Sequence, residues 1–207
     1  PEVFNLADKY QLPAIILSDL LISDETSTID PKLLDMQPAI DRGELITEAG
    51  DEAGNYERYK FTDSGISPRA LPGIPGYEHV VATDEHMPSG VLISDEFTHP
   101  HKRRAMLEKR QSKMVGLLAD LPPPVIVGAA GAEVTLVGWG STAGVIQEAI
   151  EQLAAVGVVA NHLHFKWLVP FHADEANEIL SSCKRTILIE NNYSGLFHRY
   201  LRGETGF

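Results

Sequence analysis

Residues 58–73, RYKFTDSGISPRALPG, place an acid, two serines and an arginine within seven positions. Gly65 permits a positive φ, and Pro68 fixes the backbone just before Arg69. A guanidinium group held in a fixed position is a natural partner for a carboxylate or a phosphate. One hypothesis is a stiffened loop that holds Asp63 and Arg69 in place for such chemistry. The other is an exposed loop with a solvated Arg69, and the residue types alone favour neither.

A second motif is GWGSTA at residues 138–143, which follows a predicted strand and opens a predicted helix, as a dinucleotide fingerprint does. Such a site also needs an acid at the end of the next strand to bind the ribose hydroxyls. The matching region reads VVANHLHF and contains no carboxylate. We therefore predict a tight strand-to-helix turn capped by Ser141 or Thr142. An anion resting on this helix N-terminus stays open.

Histidines and carboxylates also cluster in residues 78–101, which suggests a metal site. Their spacing matches neither a His-x-x-x-His helix face nor a zinc knuckle. We predict no metal site, and we expect Asp84 and Glu85 to form structural hydrogen bonds with His86. The candidate ligands are Glu78, His79, Asp84, Glu85, His86, Asp95, Glu96, His99 and His101.

The only cysteine, Cys183, ends a predicted helix, and we predict a structural role for it. Iron–sulfur clusters usually need four Cys ligands, so this chain alone cannot hold one. Any such redox centre must lie elsewhere.

The composition limits the classes of partner. The chain has 207 residues, 43% of them apolar, and a formal net charge of −12. This acidity argues against a nucleic-acid or anionic-membrane partner, since phosphate binding requires Lys and Arg. No apolar run reaches the roughly 20 residues of a membrane span, and no signal segment opens the chain. We expect a cytoplasmic protein, and the absence of an initiator Met suggests that further chain precedes Pro1.

The first 124 residues contain few regular elements. Helical spacing predicts a helix up to Pro13, and the Ile/Leu-rich residues 14–22 predict a strand buried on both faces of a parallel sheet. One long helix follows, with Thr98 as its cap, Pro100 in its first turn and the prolines 122–124 as its end. Its basic residues form a solvated face or a docking surface for an acidic partner or a phosphate-bearing ligand. They are Lys102, Arg103, Arg104, Lys109, Arg110 and Lys113.

From residue 131 onward, strand and helix patterns alternate. AEVTLVGWGS, VVANHLHFKWLVPF and RTILIENN read as strands, and STAGVIQEAIEQLAAVG, ADEANEILSSC and YSGLFHRYLRGETG as helices. Alternation of short strands and helices predicts an α/β sandwich with a parallel sheet.

Five motifs, in chain order, resemble one family. They are FNLADKYQLPAIILSD, YKFTDSGISPRALPG, TDEH with MLEKRQSKM, VTLVGWGST, and ILIENNYSGLFHRYLRGETG. Together they resemble the C-terminal portion of the α subunit of 2-oxoacid:ferredoxin oxidoreductases, most like the 2-oxoglutarate type, along nearly the whole chain.

The resemblance implies an α/β fold with three parts. Residues 1–30 would be the end of a thiamine-diphosphate pyrimidine-type domain, 31–130 a long crossover segment with one helix, and 131–207 a transketolase-C-terminal-like parallel α/β sandwich. Thiamine diphosphate and Mg²⁺ would be bound mainly outside this chain, because the family's Gly-Asp-Gly motif belongs to the β subunit. An iron–sulfur cluster would lie in a partner subunit.

The implied reaction is the oxidative decarboxylation of a 2-oxoacid, here expected to be 2-oxoglutarate, to an acyl-CoA with electrons passed to ferredoxin. CoA is the co-substrate and the β subunit the partner in a hetero-oligomer. The implied pocket residues, on the substrate or CoA side, are Asp63, Ser64, Gly65, Ser67 and Arg69. Glu190, Asn191 and Asn192 end a parallel strand, where a ligand or subunit contact is expected. The catalytic residues are not assigned.

Two other classes stay open on sequence grounds. The chain could be a non-catalytic module that supplies subunit contacts to a thiamine-diphosphate enzyme. It could also belong to a transketolase-like or pyruvate-dehydrogenase-like enzyme that does not use ferredoxin.

Overall fold

The computed structural model describes residues 1–81, 83–93 and 99–207. The chain forms two compact units: Pro1–Ile15 with Asp30–Asp120 (unit 1), and Ile16–Ile29 with Leu121–Phe207 (unit 2). These divisions differ from the predicted boundaries at residues 30 and 130. The assignment of the first 30 residues to a pyrimidine-type domain stays a prediction.

The helices and strands are short apart from one helix. In chain order they are α1 (Glu2–Tyr10), α2 (Leu20–Asp24), a 3₁₀ turn (Pro31–Leu33), β1 (Leu45–Ile46), β2 (Arg69–Ala70), α3 (Pro100–Asp120), β3 (Val125–Gly128), β4 (Val134–Trp139), α4 (Thr142–Ala155), β5 (Ala160–Phe165), α5 (Ala173–Ser182), β6 (Thr186–Leu188) and α6 (Leu196–Thr205).

Two helices frame unit 1. The predicted first helix is confirmed as α1, which ends where Gln11 adopts a left-handed φ of 50° ahead of Pro13. It packs against α3, and this contact explains why the first fifteen residues fold with the middle of the chain. The long helix is confirmed from Pro100 onward, while its predicted cap, Thr98, lies outside the described residues.

A small parallel pairing places Arg69. β1 pairs with β2 in the register Leu45↔Arg69 and Ile46↔Ala70. Ala70 is buried with two tyrosines, Tyr56 and Tyr77, in a small apolar cluster. The backbone of Arg69 is therefore fixed by strand pairing, and the next residue is fixed by burial.

The predicted strand over residues 14–22 is wrong. Asp19 instead caps the short helix α2 by accepting a hydrogen bond of 3.0 Å from the amide of Ile22. The apolar side chains of this segment are exposed, for example Ile16 and Leu20 at 69% and 75%. A strand forms only where another strand satisfies its backbone groups, and none of the described residues pairs with this segment.

The α/β sandwich predicted for the last third is confirmed in unit 2. A four-stranded sheet has the order β3-β5-β4-β6, and β4 is parallel to both β5 and β6. β4 and β5 are buried almost throughout, as expected of central strands covered on both faces. β3, which was assigned to the crossover segment, joins the sheet as an antiparallel edge strand. Such a strand is common in otherwise parallel sheets.

The main hydrophobic core lies between this sheet and helices α5 and α6. Its buried members are Val137, Leu163, Phe165, Phe171, Ala176, Leu180, Phe197 and Leu201. None of the helices in the described ranges is long and apolar enough to cross a membrane.

Candidate functional site

Residues 62–69, here called the site loop, begin with a tight turn. The amide of Gly65 donates to the carbonyl oxygen of Thr62 at 3.1 Å, and Gly65 has a φ of 75°. The Thr62 hydroxyl donates to the carbonyl oxygen of Ile66 at 2.8 Å, and the Ser64 hydroxyl accepts from the amide of Ile66 at 3.2 Å. The turn residues therefore satisfy part of the backbone locally, as Ser and Thr side chains do in turns.

Side chains from other segments hold the second half of the site loop. The side-chain amide of Gln11 donates to the carbonyl oxygen of Ser67 at 2.7 Å. The Tyr56 hydroxyl donates to the carbonyl oxygen of Pro68 at 2.9 Å. Ser67 itself is 1% exposed and donates to the carbonyl oxygen of Lys60 at 2.8 Å. With Lys109 donating to the carbonyl oxygen of Gly65 at 2.8 Å, all four carbonyls from Gly65 to Pro68 have donors. A buried loop satisfied in this way is rigid.

Gly65 lies directly on helix α3. A Cβ atom at this position would overlap the Ser112 hydroxyl and the carbonyl oxygen of Lys109. Only glycine combines this close approach with the positive φ. The position of the site loop on α3 therefore depends on Gly65.

The two charged residues of the site loop, Asp63 and Arg69, do not interact with each other. Asp63 is exposed at the turn, and within the described ranges its carboxylate has no hydrogen bond or ion pair. Arg69 lies 3.4 Å from the Asp8 carboxylate and donates to the carbonyl oxygen of Arg42 at 3.2 Å. The structure thus places both residues on one rigid loop but does not pair them. Of these two residues, Asp63 is the one whose charge has no partner within the described ranges.

Glu190 caps helix α6 in unit 2. Its carboxylate accepts from the amide of Phe197 at 2.6 Å and from that of His198 at 3.4 Å. Burial would raise the pKa of Glu190, but these amides and the Asn192 and Trp139 side chains outweigh it, so the pKa is lowered. Glu190 is therefore an ionised helix cap in the fold.

Glu190, Asn191 and Asn192 form a corner between β6 and α6, and Asn191 and Asn192 differ in exposure. Asn192 accepts from the amide of Leu196 at 2.9 Å and donates to Glu190, so it supports the same cap. Asn191 and the following Tyr193 are exposed. A cavity of about 580 Å³ opens beside Tyr193, with Glu190, His198 and Arg202 in its lining.

The comparisons with known proteins point to one family. Residues 132–204 match the family described as pyruvate:ferredoxin oxidoreductase core domain II. The chain is 33% identical over 214 residues to subunit alpha of 2-oxoacid:ferredoxin oxidoreductase 1 from Aeropyrum pernix, which covers 100% of this chain and 32% of that protein. It is 30% identical to the 2-oxoglutarate oxidoreductase subunit KorA of Mycobacterium tuberculosis, covering 98% of this chain and 30% of that protein.

A solved structure is similar to this chain along nearly its whole length. It is the 2-oxoglutarate:ferredoxin oxidoreductase from Magnetococcus marinus with 2-oxoglutarate, coenzyme A and succinyl-CoA bound, at 30% identity and a TM-score of 0.81. The match covers 98% of this chain and 34% of that one. Along at least 98% of its length the chain is therefore similar to α subunits of 2-oxoacid and 2-oxoglutarate oxidoreductases. It spans about a third of the length of the curated relatives it matches.

The GWGSTA motif is a tight strand-to-helix turn, as predicted, but Ser141 at the N-cap of α4 makes no side-chain hydrogen bond to the helix amides. A Cβ at Gly138 would overlap Ile146 and Thr142 on helix α4, so the glycine allows close strand-to-helix packing. The Thr142 hydroxyl closes the turn: it accepts from the amide of Trp139 at 3.1 Å and donates to the carbonyl oxygen of Trp139 at 2.8 Å. The hydroxyl of Ser141 donates to the Asp19 carboxylate. An anion of the chain itself therefore lies at the start of α4.

In the cluster of residues 78–101, Glu85 has a structural partner, but it is not the predicted His86. Glu85 forms a bidentate ion pair with Arg110, at 2.8 and 3.1 Å, which lowers the pKa of Glu85. His86 packs on the ring of Tyr59, with centroids 3.9 Å apart. Asp95 and Glu96 lie outside the described residues. Within the described part, no three His, Cys, Asp or Glu side chains are grouped to hold a metal ion.

Two residues of the site were missed from the sequence. Lys109 and Lys113 were assigned to the basic surface of α3, yet each is only 8% exposed. They follow the buried Met106 at helical spacing, so they continue its inward face. That spacing is the signal that could have identified them. Cys183 agrees with a structural role, since its thiol donates to the carbonyl oxygen of Ile179 at 3.2 Å.

Proposed function

We propose that the chain is part of the α subunit of a thiamine-diphosphate-dependent 2-oxoacid:ferredoxin oxidoreductase, with 2-oxoglutarate as the expected 2-oxoacid. The observation that carries this proposal is the similarity along the whole chain to α subunits of that name, together with the structural match to a 2-oxoglutarate enzyme. The balanced reaction is RCOCOO⁻ + CoA-SH → RCO-SCoA + CO₂ + H⁺ + 2e⁻. Two ferredoxin molecules each accept one electron.

The site loop is the part of the pocket that we assign to this chain. Asp63 and Ser64 lie at its exposed turn, where Asp63 would orient the 2-oxoacid or CoA. Arg69 would anchor a carboxylate or phosphate of these substrates, since a guanidinium suits such anions. The rigidity of the backbone from Gly65 to Pro68 supports this role, because a binding group acts best when its position is fixed beforehand.

The cofactors are assigned to other parts of the enzyme. The chain has no Gly-Asp-Gly sequence to hold Mg²⁺ and the diphosphate of thiamine diphosphate. A single cysteine cannot hold an iron–sulfur cluster by itself. We therefore assign these groups mainly to a β subunit or another partner, in a cytoplasmic hetero-oligomer that passes electrons to ferredoxin. The corner formed by Glu190, Asn191 and Asn192 would contact a ligand or a subunit through Asn191.

A second candidate is a non-catalytic module that supplies only subunit contacts. The exposed apolar side chains of residues 15–22 favour it, because monomeric proteins rarely expose such a run. Under this alternative the site loop contributes nothing to catalysis.

The test uses the complete α subunit assembled with the β subunit, thiamine diphosphate and CoA. Reduction of a viologen dye that requires both 2-oxoglutarate and CoA is expected. Arg69→Ala should lower kcat/KM by at least about tenfold, the loss of one charge-assisted hydrogen bond. Asp8→Asn, which removes the ion-pair partner that Arg69 shares with Arg42, should stay within about threefold. Equal effects of the two variants would show that Arg69 serves only its ion pair and does not bind substrate. A complete enzyme without activity on any 2-oxoacid would reject the proposed function.

A further inference from the structure

Two lysines of α3 support the site loop from its buried side. Lys109 and Lys113 are one helical turn apart and therefore share a face. Lys109 donates to the carbonyl oxygen of Gly65 at 2.8 Å, and Lys113 to that of Gln11 at 3.1 Å. Lysines are almost never buried unless a carboxylate pairs with them. Here the acceptors are main-chain carbonyls, so the lysines hold backbone in place.

Gln11 joins the second lysine to the site loop. Its backbone accepts from Lys113, and its side chain donates to the carbonyl oxygen of Ser67 at 2.7 Å. The same side chain accepts from the Arg58 guanidinium at 3.0 Å. One hydrogen-bonded chain therefore runs from Lys113 and Arg58 through Gln11 to the loop.

The charges of this cluster work against stability. Burial lowers the pKa of Lys109 to about 8, and repulsion by Lys113, Arg58 and Arg110 adds to the effect. Burial also lowers the pKa of Lys113, with Arg58 and Arg110 contributing. Arg110 is paired with Glu85, but within the described ranges no carboxylate forms an ion pair with Lys109, Lys113 or Arg58.

The Arg58 guanidinium adds a second unfavourable feature. Its Nη1 atom is enclosed and has no acceptor among the described residues. Apolar side chains in place of such buried charges often stabilise a fold. Groups that lower stability are typical of sites where position serves function.

We propose that Lys109 and Lys113 are positioning residues that fix the site loop, so that Arg69 is presented to an anionic 2-oxoacid in one conformation. This inference rests on the proposed function, because that function assigns the loop to the substrate pocket. Neither lysine needs to touch the substrate. Their removal loosens the loop while the surrounding fold is kept.

The experiment measures amide hydrogen exchange in the complete enzyme. The amides of Gly65 and Ile66 have acceptors in the loop and should exchange slowly. In Lys109→Met they should exchange at least about tenfold faster, since local opening becomes easier. The thermal midpoint should stay unchanged or rise by roughly 2 to 4 °C, because a buried charge is removed. Lys102→Met, on the exposed face of α3, is the matched control and should change neither quantity.

A second variant and a rescue keep the result decisive. Lys113→Met should speed exchange in the same loop through Gln11, and Lys109→Arg should restore slow exchange. Unchanged loop exchange in both Met variants, or a lower midpoint without faster exchange, would overturn the positioning role. The KM for 2-oxoglutarate separates this from the proposed function: it should rise in Lys109→Met with kcat nearly constant. Faster exchange with an unchanged KM would leave the positioning role intact and reject the loop as substrate pocket.

Discussion

The ammonium group of Lys109 lies 2.8 Å from the carbonyl oxygen of Gly65, at a place where Gly65 has no room for a side chain. The loop that carries Asp63 therefore rests on the backbone of α3 and is held there by a buried charge. Both features follow from residue types at two positions 44 residues apart. Together, the hydrogen bond and the close packing fix where the site loop lies on α3.

Gly65→Ala should destabilise unit 1 strongly. The new Cβ overlaps α3 and also meets an unfavourable positive φ, which together predict a loss of about 2 to 4 kcal/mol in the free energy of unfolding. Gly73→Ala is the matched control, because Gly73 has a φ of 94° and open space around it. It should lose only the conformational part, roughly 1 to 2 kcal/mol. Urea unfolding followed by circular dichroism measures both, and equal losses would contradict the packing of Gly65 on α3.

The pH dependence of stability should reveal the charge on Lys109. The pKa of Lys109 falls from 10.5 to about 8 on folding, because of burial and the nearby Lys113, Arg58 and Arg110. Below pH 8 both the folded and the unfolded chain carry this proton, so the full penalty is present. Between pH 8 and 10.5 the unfolded chain holds more protons, and the folded state gains stability on the order of 2 to 3 kcal/mol.

Lys109→Met supplies the comparison for this effect. The variant should be the more stable protein near pH 7, and the difference from the wild type should shrink as the pH rises towards 10.5. Urea midpoints at intervals from pH 7 to pH 10 test this. A constant difference across that range would show that Lys109 does not carry an unfavourable charge in the fold.

Glu190→Ala should destabilise unit 2 by about 1 to 2 kcal/mol, because α6 loses its cap. Asn191→Ala, at the exposed neighbour, is the control and should have little effect. Both tryptophans lie in unit 2, so their fluorescence reports its unfolding. The lowered pKa of Glu190 means that its contribution is present above pH 4.5 and is lost as the pH falls further. Equal midpoints for the two variants at pH 7 would reject the cap.

The sequence predicts best where one physical signal decides the structure. The alternation of apolar strands with amphipathic helices after residue 131 predicts the sheet and helices of unit 2, because local periodicity and burial agree there. The turn at Gly65 and the helix α3 were predicted for similar reasons: glycine, proline and helical spacing act locally.

The sequence predicts poorly where distant partners decide. The apolar residues 14–22 suggest a buried strand, but a strand needs a neighbour, and the described chain supplies none. Lys109 and Lys113 look like surface charges because their acceptors, Gly65 and Gln11, lie 44 and 102 residues away. Glu85 pairs with Arg110 rather than with the adjacent His86 for the same reason.

The most direct test of the central claim compares Asp63→Asn with Asp51→Asn in the assembled enzyme. Both carboxylates are exposed and have no partner within the described ranges, so neither change should alter assembly or the thermal midpoint. The quantity measured is kcat/KM for CoA, whose amide and hydroxyl groups can donate to a carboxylate, with 2-oxoglutarate saturating and ferredoxin reduction as the signal. If the site loop lines the substrate pocket, Asp63→Asn lowers kcat/KM by at least about tenfold and Asp51→Asn leaves it unchanged. A value for Asp63→Asn within twofold of the wild type would contradict the assignment.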